Sequence, residues 1–369
     1  MSADSKLVCV QDFEDYARSI LPKNALDYYQ SGSGEEYGLK LNRDAFRWLR
    51  IRPRILRDVS QRDLSVTVLG SKVGMPIGVA PTAMQRMAHA DGECANARAA
   101  GAEGAIFTLS TLSTSSIEEV AAAAPDTVKW FQLYIYKDRK VTMDLVQRAE
   151  KAGFKAIVLT VDAPVFGIRL ADLRNKFVLP SHLRLANFDG HLSTNVNDTT
   201  SGSSINDYVA NLFDQSVTWE DVKWLKRSTN LPIVLKGILT EEDAKIAADL
   251  GVQGIQVSNH GARQIDGTLA PMEALPAVAR AVGGRCEVFL DGGVRQGGDV
   301  FKALAGGARA VFAGRPLLWG LAAAGEAGAR QVLRILRREL DHTLALAGCT
   351  KISDIRPCMI GYGSPLQKL

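Results

Sequence analysis

Residues 287–316 read EVFLDGGVRQGGDVFKALAGGARAVFAGRP, and this stretch decides the fold. It holds two short apolar runs, Glu287–Gly292 and Ala310–Gly314, on either side of an Ala-rich helical stretch at Gly298–Ala305. Continuous apolar runs are typical of parallel strands that are buried on both faces, whereas half-exposed strands alternate. The pattern therefore indicates two successive strand–helix units, each strand ending in glycine.

The same unit repeats upstream, because β-rich apolar runs alternate with amphipathic helical stretches from residue 75 onward. The six further strand candidates are Pro76–Ala83, Ala105–Thr111, Lys129–Tyr136, Ala156–Asp162, Pro232–Gly237 and Gly254–Ser258. Eight units at this spacing predict an α/β fold, a (β/α)8 TIM barrel over residues 75–369, although an open doubly wound sheet shares the alternation. We expect one domain spanning residues 1–369.

Two regions lie outside the repeat. Residues 1–74 contain helical patterns at Val10–Ile20 and Asn24–Gln30, which predict an N-terminal helical lid or collar. Residues 163–216, after strand 4, are too long for an ordinary βα connection, and their polar part His191–Asn206 predicts a loop over the barrel mouth. The last helix, Arg330–Ala347, has leucines at helical spacing that predict a core or subunit contact.

Composition excludes several classes of protein. The formal net charge is only +4 and the basic residues are scattered, so nucleic acid is not an expected partner. No run approaches the roughly 18 apolar residues of a membrane span. The five cysteines are dispersed without a CxxC pair, which predicts no metal site and a reducing compartment. The ending Gln367-Lys368-Leu369 resembles a peroxisomal address, with Gln in place of the usual small residue; otherwise we expect a cytoplasmic protein.

Polar or glycine residues follow all eight strand candidates. In a TIM barrel the functional residues cluster at the carboxyl ends of the strands, so this pattern predicts a ligand site there. The candidates are Pro81, Thr82, Ala83, Ser110, Gln132, Tyr134, Thr160, Asp162, Lys236, Ser258, His260, Arg263, Asp291, Gly293, Arg295, Gly314 and Arg315.

Three of these strand ends indicate definite chemistry. His260 can take a proton near neutral pH, and Arg263, three residues later, can grip a carboxylate through its planar fork. Glycine amides and arginines at 291–295 and 313–316 follow the last two strands, where barrels bind phosphate groups. The alternative for these glycines is a tight turn that requires positive φ.

The chain resembles the FMN-dependent α-hydroxy-acid oxidases over nearly its whole length. The resemblance is carried by LDYYQSG at 26–32, VAPTAMQ at 79–85, FQLYIYKDR at 131–139, LKGI at 235–238, SNHGARQ at 258–264, DGGVR at 291–295 and AGRP at 313–316. It implies FMN across the barrel mouth. Pro81, Thr82 and Ala83 would line one face of the flavin, and Ser110, Gln132, Thr160 and Lys236 would contact its polar edge. The ribityl and phosphate contacts would come from Ser258, Asp291, Gly293, Arg295, Gly314 and Arg315.

The resemblance also implies a substrate and a mechanism. Arg263 would bind the carboxylate of an (S)-2-hydroxy acid together with Tyr28, Tyr134 and Arg169. His260, oriented by Asp162, would take the hydroxyl proton, giving a 2-oxo acid and, with oxygen, hydrogen peroxide. Glycolate-preferring members carry Trp where this chain has Leu112, so we expect lactate or longer acids to be used at least as well as glycolate. The resemblance further implies a homotetramer, for which Leu317, Leu318 and Trp319 are candidate contacts, although they could equally be barrel core.

Other functions remain open from the sequence. The same half-reaction could pass electrons to another acceptor, although no haem-binding segment or membrane-anchoring insertion is evident, which favours oxygen. A flavin-free barrel could instead isomerise or cleave a phosphorylated metabolite, with Lys236 as a Schiff-base amine. A non-catalytic FMN-binding scaffold is disfavoured because His260, Arg263 and Lys236 are all present.

Overall fold

The computed structural model describes residues 6–188 and 212–362, and eight parallel strands in it close into a barrel. The barrel strands are Ile77–Val79, Ile106–Leu109, Lys129–Leu133, Ala156–Thr160, Ile233–Ile238, Gly254–Val257, Glu287–Asp291 and Ala310–Ala313. Each strand pairs with its neighbour in the chain, and Val311 opposite Ile77 closes the ring. The predicted (β/α)8 barrel is confirmed.

Inside the barrel, large aromatic side chains lie next to glycines, which have no side chain. Trp130, Phe289 and Phe312 pack against one another with ring centroids 5.2–6.0 Å apart. A Cβ at Gly78 would lie 2.5 Å from the Phe312 ring, and one at Gly254 would lie 2.7 Å from the Phe289 ring. The glycines therefore make room for the aromatic rings, and the barrel interior is a packed core with no passage through it.

The helices between the strands follow the sequence pattern closely. They are Gly92–Ala102, Ile117–Ala123, Arg139–Lys151, Trp219–Ser228, Glu241–Asp249, Pro271–Val282, Gly297–Ala305 and Arg315–Ala347. The last begins well before the predicted Arg330 and bends at Ala324 and Gly325.

Its leucines are core residues. Leu333, Leu336, Leu340 and Leu344 are completely buried within the chain. Leu317, Leu318 and Trp319 are also at most 2% exposed, so of their two predicted roles, outer contact or barrel core, the structure supports the core. They lie in the first turns of this helix, which pack inward on the barrel.

The N-terminal segment forms three helices, α1 (Val10–Ile20), α2 (Lys23–Gln30) and α3 (Tyr37–Trp48). The sequence pattern predicts the first two and misses α3. Helix α1 packs along Arg315–Ala347, and α3 packs on Pro271–Val282. Strand Leu49–Ile51 then pairs with Ile360–Tyr362, and Val66–Val68 pairs with Ser71–Val73. The N-terminal helices therefore lie against the barrel where its last strands end.

The connection after the fourth barrel strand is described only as far as residue 188, with a short helix at Leu170–Asn175 and a 3₁₀ turn at Ala186–Phe188. The predicted loop His191–Asn206 and the terminal Gln367-Lys368-Leu369 lie outside the described residues. Within residues 6–188 and 212–362, no helix is long and apolar enough to cross a membrane. The same residues hold no cluster of His, Cys, Asp and Glu suited to a metal ion, and all five cysteines are free thiols.

Candidate active site

A cleft of about 970 Å³, partly open to solvent, lies at the carboxyl ends of the barrel strands. The structure brings most of the predicted site residues to its walls. These are Tyr28, Pro81, Thr82, Ala83, Ser110, Leu112, Gln132, Tyr134, Thr160, Arg169, Lys236, His260, Arg263, Asp291, Gly293, Arg295, Gly314 and Arg315. Asp162 and Ser258 lie behind this lining, and each contacts the cleft through a neighbour.

Residues 258–263, called here the His260 turn, carry the most strained backbone of the site. His260, Gly261 and Ala262 are consecutive left-handed residues with φ of 59°, 63° and 61°. This conformation costs roughly 1–2 kcal/mol for a residue with a side chain. Hydrogen bonds offset the cost: the His260 N–H donates to Ser258 Oγ at 3.0 Å, and the Ala262 N–H donates to Asn259 Oδ1 at 3.0 Å. The turn points the imidazole back toward the fourth strand.

His260 and Asp162 form a base and its orienting carboxylate. Their Nδ1 and Oδ1 atoms are 2.8 Å apart, so Nδ1–H donates to the carboxylate and the lone pair lies on Nε2. Burial opposes the charge of Asp162, but His260 and Lys236 outweigh it and lower its pKa. Burial also lowers the pKa of His260, partly opposed by Asp162. A neutral imidazole beside an ionised carboxylate is the state required of a general base at neutral pH.

A bulge in the fifth strand makes this pair possible. Register shifts between Lys236 and Ile238, and Gly237 has a φ of 113°. A Cβ at Gly237 would lie 2.6 Å from the Asp162 side chain. The glycine therefore leaves the space in which Asp162 reaches His260.

Two arginines face the same part of the cleft. Arg263 donates from Nη1 to the carbonyls of Tyr28 and Ser31, and its guanidinium carbon lies 4.9 Å above the Tyr28 ring. Its Nε and Nη2 make no hydrogen bond within the described residues. Arg169 is 2% exposed, its Nε has no partner there, and it lies 3.9 Å from the Asp172 carboxylate. Burial lowers the pKa of Arg169 to about 10, so it remains a cation at neutral pH.

These arginines, with Tyr28 and Tyr134, form a site for a carboxylate. Both tyrosines are buried, and burial raises the pKa of each, so their phenols stay protonated and can donate. Phe166 packs edge-on against Tyr134 with centroids 6.2 Å apart and closes one side.

A polar ladder crosses the ends of the second, third and fourth strands. Ser110 Oγ donates to Gln132 Oε1 at 3.3 Å, and Gln132 Nε2 donates to Thr160 Oγ1 at 3.1 Å. Lys236 faces the cleft close by, with Nζ 3.7 Å from Asp291 Oδ2 and no hydrogen bond within the described residues. Such an edge offers donors, acceptors and one cation to a flat polar ring.

Ser258 lies behind the cleft wall, and its role as a cofactor contact stays a prediction. It is completely buried and does not line the cleft. Its hydroxyl donates to Asp291 Oδ1 at 2.5 Å and accepts from the His260 N–H. Asp291 is also held by Gln256 Nε2 at 2.6 Å. Ser258 therefore links the His260 turn to the seventh strand end.

Residues 291–295, called here the glycine turn, form the opposite end of the cleft. Gly292 and Gly293 have φ of 97° and 84°, a conformation that glycine adopts freely. The Arg295 Nε is buried without a hydrogen-bond partner, 3.5 Å from Glu14 Oε2. Burial, together with the nearby Arg43, lowers the pKa of Arg295 to about 10 despite Glu14, so it too remains a cation.

Arg315 contributes differently from Arg295. Its guanidinium donates to the carbonyls of Tyr29, Gly261 and Ser31, which uses three of its five N–H groups. Its backbone N–H, in the first turn of the helix that follows Gly314, remains suited to an anion.

The cleft fits FMN. A flat ring can lie against the Ser110–Gln132–Thr160 ladder with Lys236 at its edge, and a phosphate can reach the glycine turn and the cationic side chain of Arg295, which lines the cleft. Tyr29 and Leu318 are among the further lining residues that the sequence does not assign to the site. Tyr29 donates to the Met84 carbonyl at 2.7 Å, a contact 55 positions away that no local pattern reveals.

Comparison with known proteins agrees with this reading of the cleft. Residues 17–361 match a family described as FMN-dependent dehydrogenase. Glycolate oxidase 1 of Zea mays is 56% identical over 346 residues, 94% of this chain and 93% of that protein. 2-Hydroxyacid oxidase 1 of Homo sapiens is 52% identical over 357 residues, 96% of each chain. A crystal structure of mandelate oxidase with (S)-4-hydroxymandelic acid superposes with a TM-score of 0.91 at 45% identity, covering 96% of this chain and 98% of that one.

Proposed function

Because the chain belongs to the FMN-dependent dehydrogenase family, we propose that it oxidises (S)-2-hydroxy acids to 2-oxo acids, with oxygen as the acceptor and hydrogen peroxide as the product. The observation that carries the proposal is the pairing of His260 with Asp162 at 2.8 Å in a cleft that also holds Arg263 and Arg169. A base and two carboxylate-binding cations in one cleft match the two functional groups of a 2-hydroxy acid. Membership of this family removes the flavin-free isomerase or aldolase alternative.

The residues divide the work between binding and proton transfer. Arg263 binds the carboxylate through Nε and Nη2, the donors that its contacts with Tyr28 and Ser31 leave free. Arg169 and the two tyrosines add donors. His260 Nε2 takes the proton of the C2 hydroxyl as the C2–H bond breaks and the carbonyl forms, and Asp162 stabilises the resulting imidazolium. FMN, when bound, supplies the acceptor for the two electrons.

Lys236 and the neighbouring polar ladder would lie at the polar edge of bound FMN, where a cation and hydrogen-bond donors would stabilise negative charge. The ammonium is 4% exposed and has no hydrogen bond within the described part of the chain. A preorganised cation in a water-poor site stabilises such charge more strongly than solvent does.

Oxygen as the acceptor is supported by the relatives, which are named oxidases, among them glycolate oxidase and 2-hydroxyacid oxidase. The second candidate, a dehydrogenase that passes electrons to another acceptor, shares the whole reductive half of the reaction. The two differ only in what reoxidises the protein.

The substrate range follows from the side chain at position 112. Leu112 is 2% exposed and lines the cleft together with Phe166. An aliphatic side chain there leaves more room than the tryptophan of glycolate-preferring members. We therefore infer that lactate or longer 2-hydroxy acids are used at least as well as glycolate.

The test is a flavin spectrum recorded without oxygen, before and after addition of glycolate, (S)-lactate or (S)-2-hydroxyoctanoate. We expect bound FMN to be bleached by each acid, with glycolate no faster than the other two. Admitting oxygen should restore the spectrum and release one peroxide per flavin. A folded protein that releases no FMN on heating, or whose FMN none of the acids bleaches, would contradict the proposal. Bleaching without reoxidation by oxygen would favour the dehydrogenase.

The homotetramer and the peroxisomal address remain predictions. With Leu317, Leu318 and Trp319 buried, the exposed apolar residues Trp48, Ile55 and Leu56 are better candidates for a subunit contact, since Leu56 is completely exposed. Light scattering should give about four times the 39.9 kDa of one chain, and a mass near one chain would contradict it.

A further inference from the structure

The His260 turn needs support from outside itself. Three successive left-handed residues, two of them with side chains, persist only where surrounding contacts over-determine the backbone. Local hydrogen bonds from Ser258 and Asn259 supply part of that support. Both acceptors must themselves be held in place. Ser258 is fixed by its hydrogen bond to Asp291, and Asn259 needs a partner of its own.

Asn259 is fixed by a second asparagine 217 positions earlier in the chain. Asn42 Nδ2 donates to Asn259 Oδ1 at 2.9 Å, and Asn259 Nδ2 donates to Asn42 Oδ1 at 2.7 Å. The two side chains are 3% and 4% exposed, so water does not compete with the pair. Asn42 lies on α3, in the helical segment that precedes the barrel.

The pair and two backbone groups together determine which way the Asn259 amide faces. Its Oδ1 must point at the Ala262 N–H, 3.0 Å away, for the turn to close. A flipped amide would set an NH₂ group against that N–H. With Asn42 as it lies, a flipped Asn259 amide would also set donor against donor and acceptor against acceptor across the pair, so the two bonds add to the preference for the orientation that closes the turn. The Asn259 Nδ2 also donates to the Leu269 carbonyl at 3.3 Å, which favours the same orientation.

The Asn42–Asn259 pair also lies between the His260 turn and the glycine turn. A Cβ at Gly293 would be 2.0 Å from the Asn42 carbonyl oxygen, so α3 fits against the glycine turn as closely as backbone allows. The same residue that orients Asn259 through its side chain therefore meets the glycine turn through its backbone. Replacing the Asn42 side chain changes the first contact and spares the second.

We propose that Asn42 is a positioning residue of the oxidation reaction, acting through Asn259 to hold the left-handed His260 turn. The turn sets where His260 meets Asp162 and where Arg263 points, so loss of the pair misplaces base and carboxylate site together. This inference rests on the proposed function, in which His260 and Arg263 act on the hydroxy acid.

The first test replaces Asn42 by Ala and measures two properties of the FMN-loaded protein. Misplacing a reacting group by about 1 Å costs on the order of 10²-fold, so anaerobic flavin reduction by (S)-lactate should slow by about 10–100-fold. The dissociation constant of oxalate, a carboxylate that cannot be oxidised, should rise about tenfold in a spectral titration, because Arg263 moves with the turn. The FMN content should stay at one per chain.

The second test asks whether the two asparagines act as a unit. Asn259→Ala should slow reduction as Asn42→Ala does, and the double variant should be no slower than the slower single variant. Asn42→Ser, which keeps one hydrogen-bonding group, should lie between wild type and Asn42→Ala.

Ala45→Gly is the matched control on the same helix. Ala45 is buried in α3, and glycine there loosens the helix without touching the turn. It should lower Tm while leaving reduction and oxalate binding within about twofold of wild type. If Ala45→Gly slows reduction as much as Asn42→Ala, or if the two asparagine effects multiply in the double variant, Asn42 is only a packing residue.

If Asn42→Ala reduces FMN and binds oxalate as wild type does, while His260→Ala abolishes reduction, the inference about Asn42 is overturned. If His260→Ala itself reduces FMN normally, the proposed function fails instead. The two failures are therefore distinguishable from the same set of variants.

Discussion

The two turns at the barrel mouth both contain residues with positive φ, but they accommodate them by different means. The glycine turn uses Gly292 and Gly293, at φ of 97° and 84°, where a side chain would be in the way. The His260 turn places His260 and Ala262 at 59° and 61°, where a side chain is strained. A phosphate needs only space and N–H groups, whereas a hydroxy acid needs an imidazole at a fixed point. At His260 the backbone strain therefore accompanies a side chain that the proposed chemistry requires.

The supports of the two turns differ accordingly. The glycine turn rests against α3 by close backbone contact, with the Asn42 carbonyl where a Gly293 side chain would be. The His260 turn is held by side-chain hydrogen bonds from Ser258 and Asn259. Substitutions should thus act on cofactor binding at one turn and on the reaction rate at the other.

The largest expected effect is at the strained turn. His260→Ala should slow anaerobic flavin reduction by about 10²–10⁴-fold, the usual contribution of a general base. FMN should be retained, because the glycine turn and the Ser110–Gln132–Thr160 ladder are unchanged. Stopped-flow absorbance of the flavin is the measurement, with FMN content as its control. Near-normal reduction would remove His260 from the mechanism.

At the glycine turn, Gly293→Ala should have the converse effect. The new Cβ would meet the Asn42 carbonyl at 2.0 Å, and the backbone on both sides cannot yield easily. We expect FMN to bind at least about 100-fold more weakly, equivalent to about 2.7 kcal/mol, as measured by fluorescence titration of FMN-free protein. Gly298→Ala, nearby in an open helical position, is the control and should bind FMN normally. Tight FMN binding by Gly293→Ala would show that the two turns do not differ as described.

Leu112→Trp tests how far the side chain at position 112 sets substrate choice. Tryptophan should shift preference toward glycolate and away from (S)-2-hydroxyoctanoate by about 1–3 kcal/mol in relative kcat/KM. Leu112→Ile, which keeps the volume, should leave the ratio nearly unchanged. A wild-type protein that already prefers glycolate strongly would show that Leu112 is not the determinant, and Phe166 would be the next position to vary.

The pH dependence tests the electrostatics of the strained turn. Burial lowers the pKa of His260, and Asp162 opposes that shift. Protonation removes the lone pair needed for catalysis, so kcat/KM should fall only as the pH drops below the usual range of a histidine. Asp162→Asn removes the group that raises the pKa, so the acid limb should move to still lower pH while the maximal rate falls. An acid limb that moves upward would contradict this assignment.

The sequence predicts the glycine turn better than the His260 turn. Gly292, Gly293 and the barrel strands around them follow from patterns within a few residues, and the structure has the strands where the apolar runs are. His260 and Arg263 are recognisable by type, but their support is not local. Asn42 lies in α3, which the sequence analysis missed, and its partner is 217 positions away.

Ser258 and Arg315 illustrate the same limit. Both carry groups suited to a cofactor, but Ser258 donates its hydroxyl to Asp291, and Arg315 uses three of its five N–H groups on backbone carbonyls. A sequence shows which groups can bind a ligand. Only the folded neighbourhood shows which groups remain free to do so.

The smallest expected effect comes from replacing an alanine by glycine in the His260 turn, the reverse of the change made at Gly293. Ala262→Gly should relieve roughly 1–2 kcal/mol of left-handed strain, while the extra freedom of glycine in the unfolded chain costs about 0.5–1 kcal/mol. It also removes a completely buried methyl group that faces Gly38 on α3. These contributions nearly cancel, so the free energy of unfolding in urea should change by less than about 1 kcal/mol. A loss above about 2 kcal/mol would show that methyl packing against α3, and not the Asn42–Asn259 hydrogen bonds, holds the turn in its left-handed form.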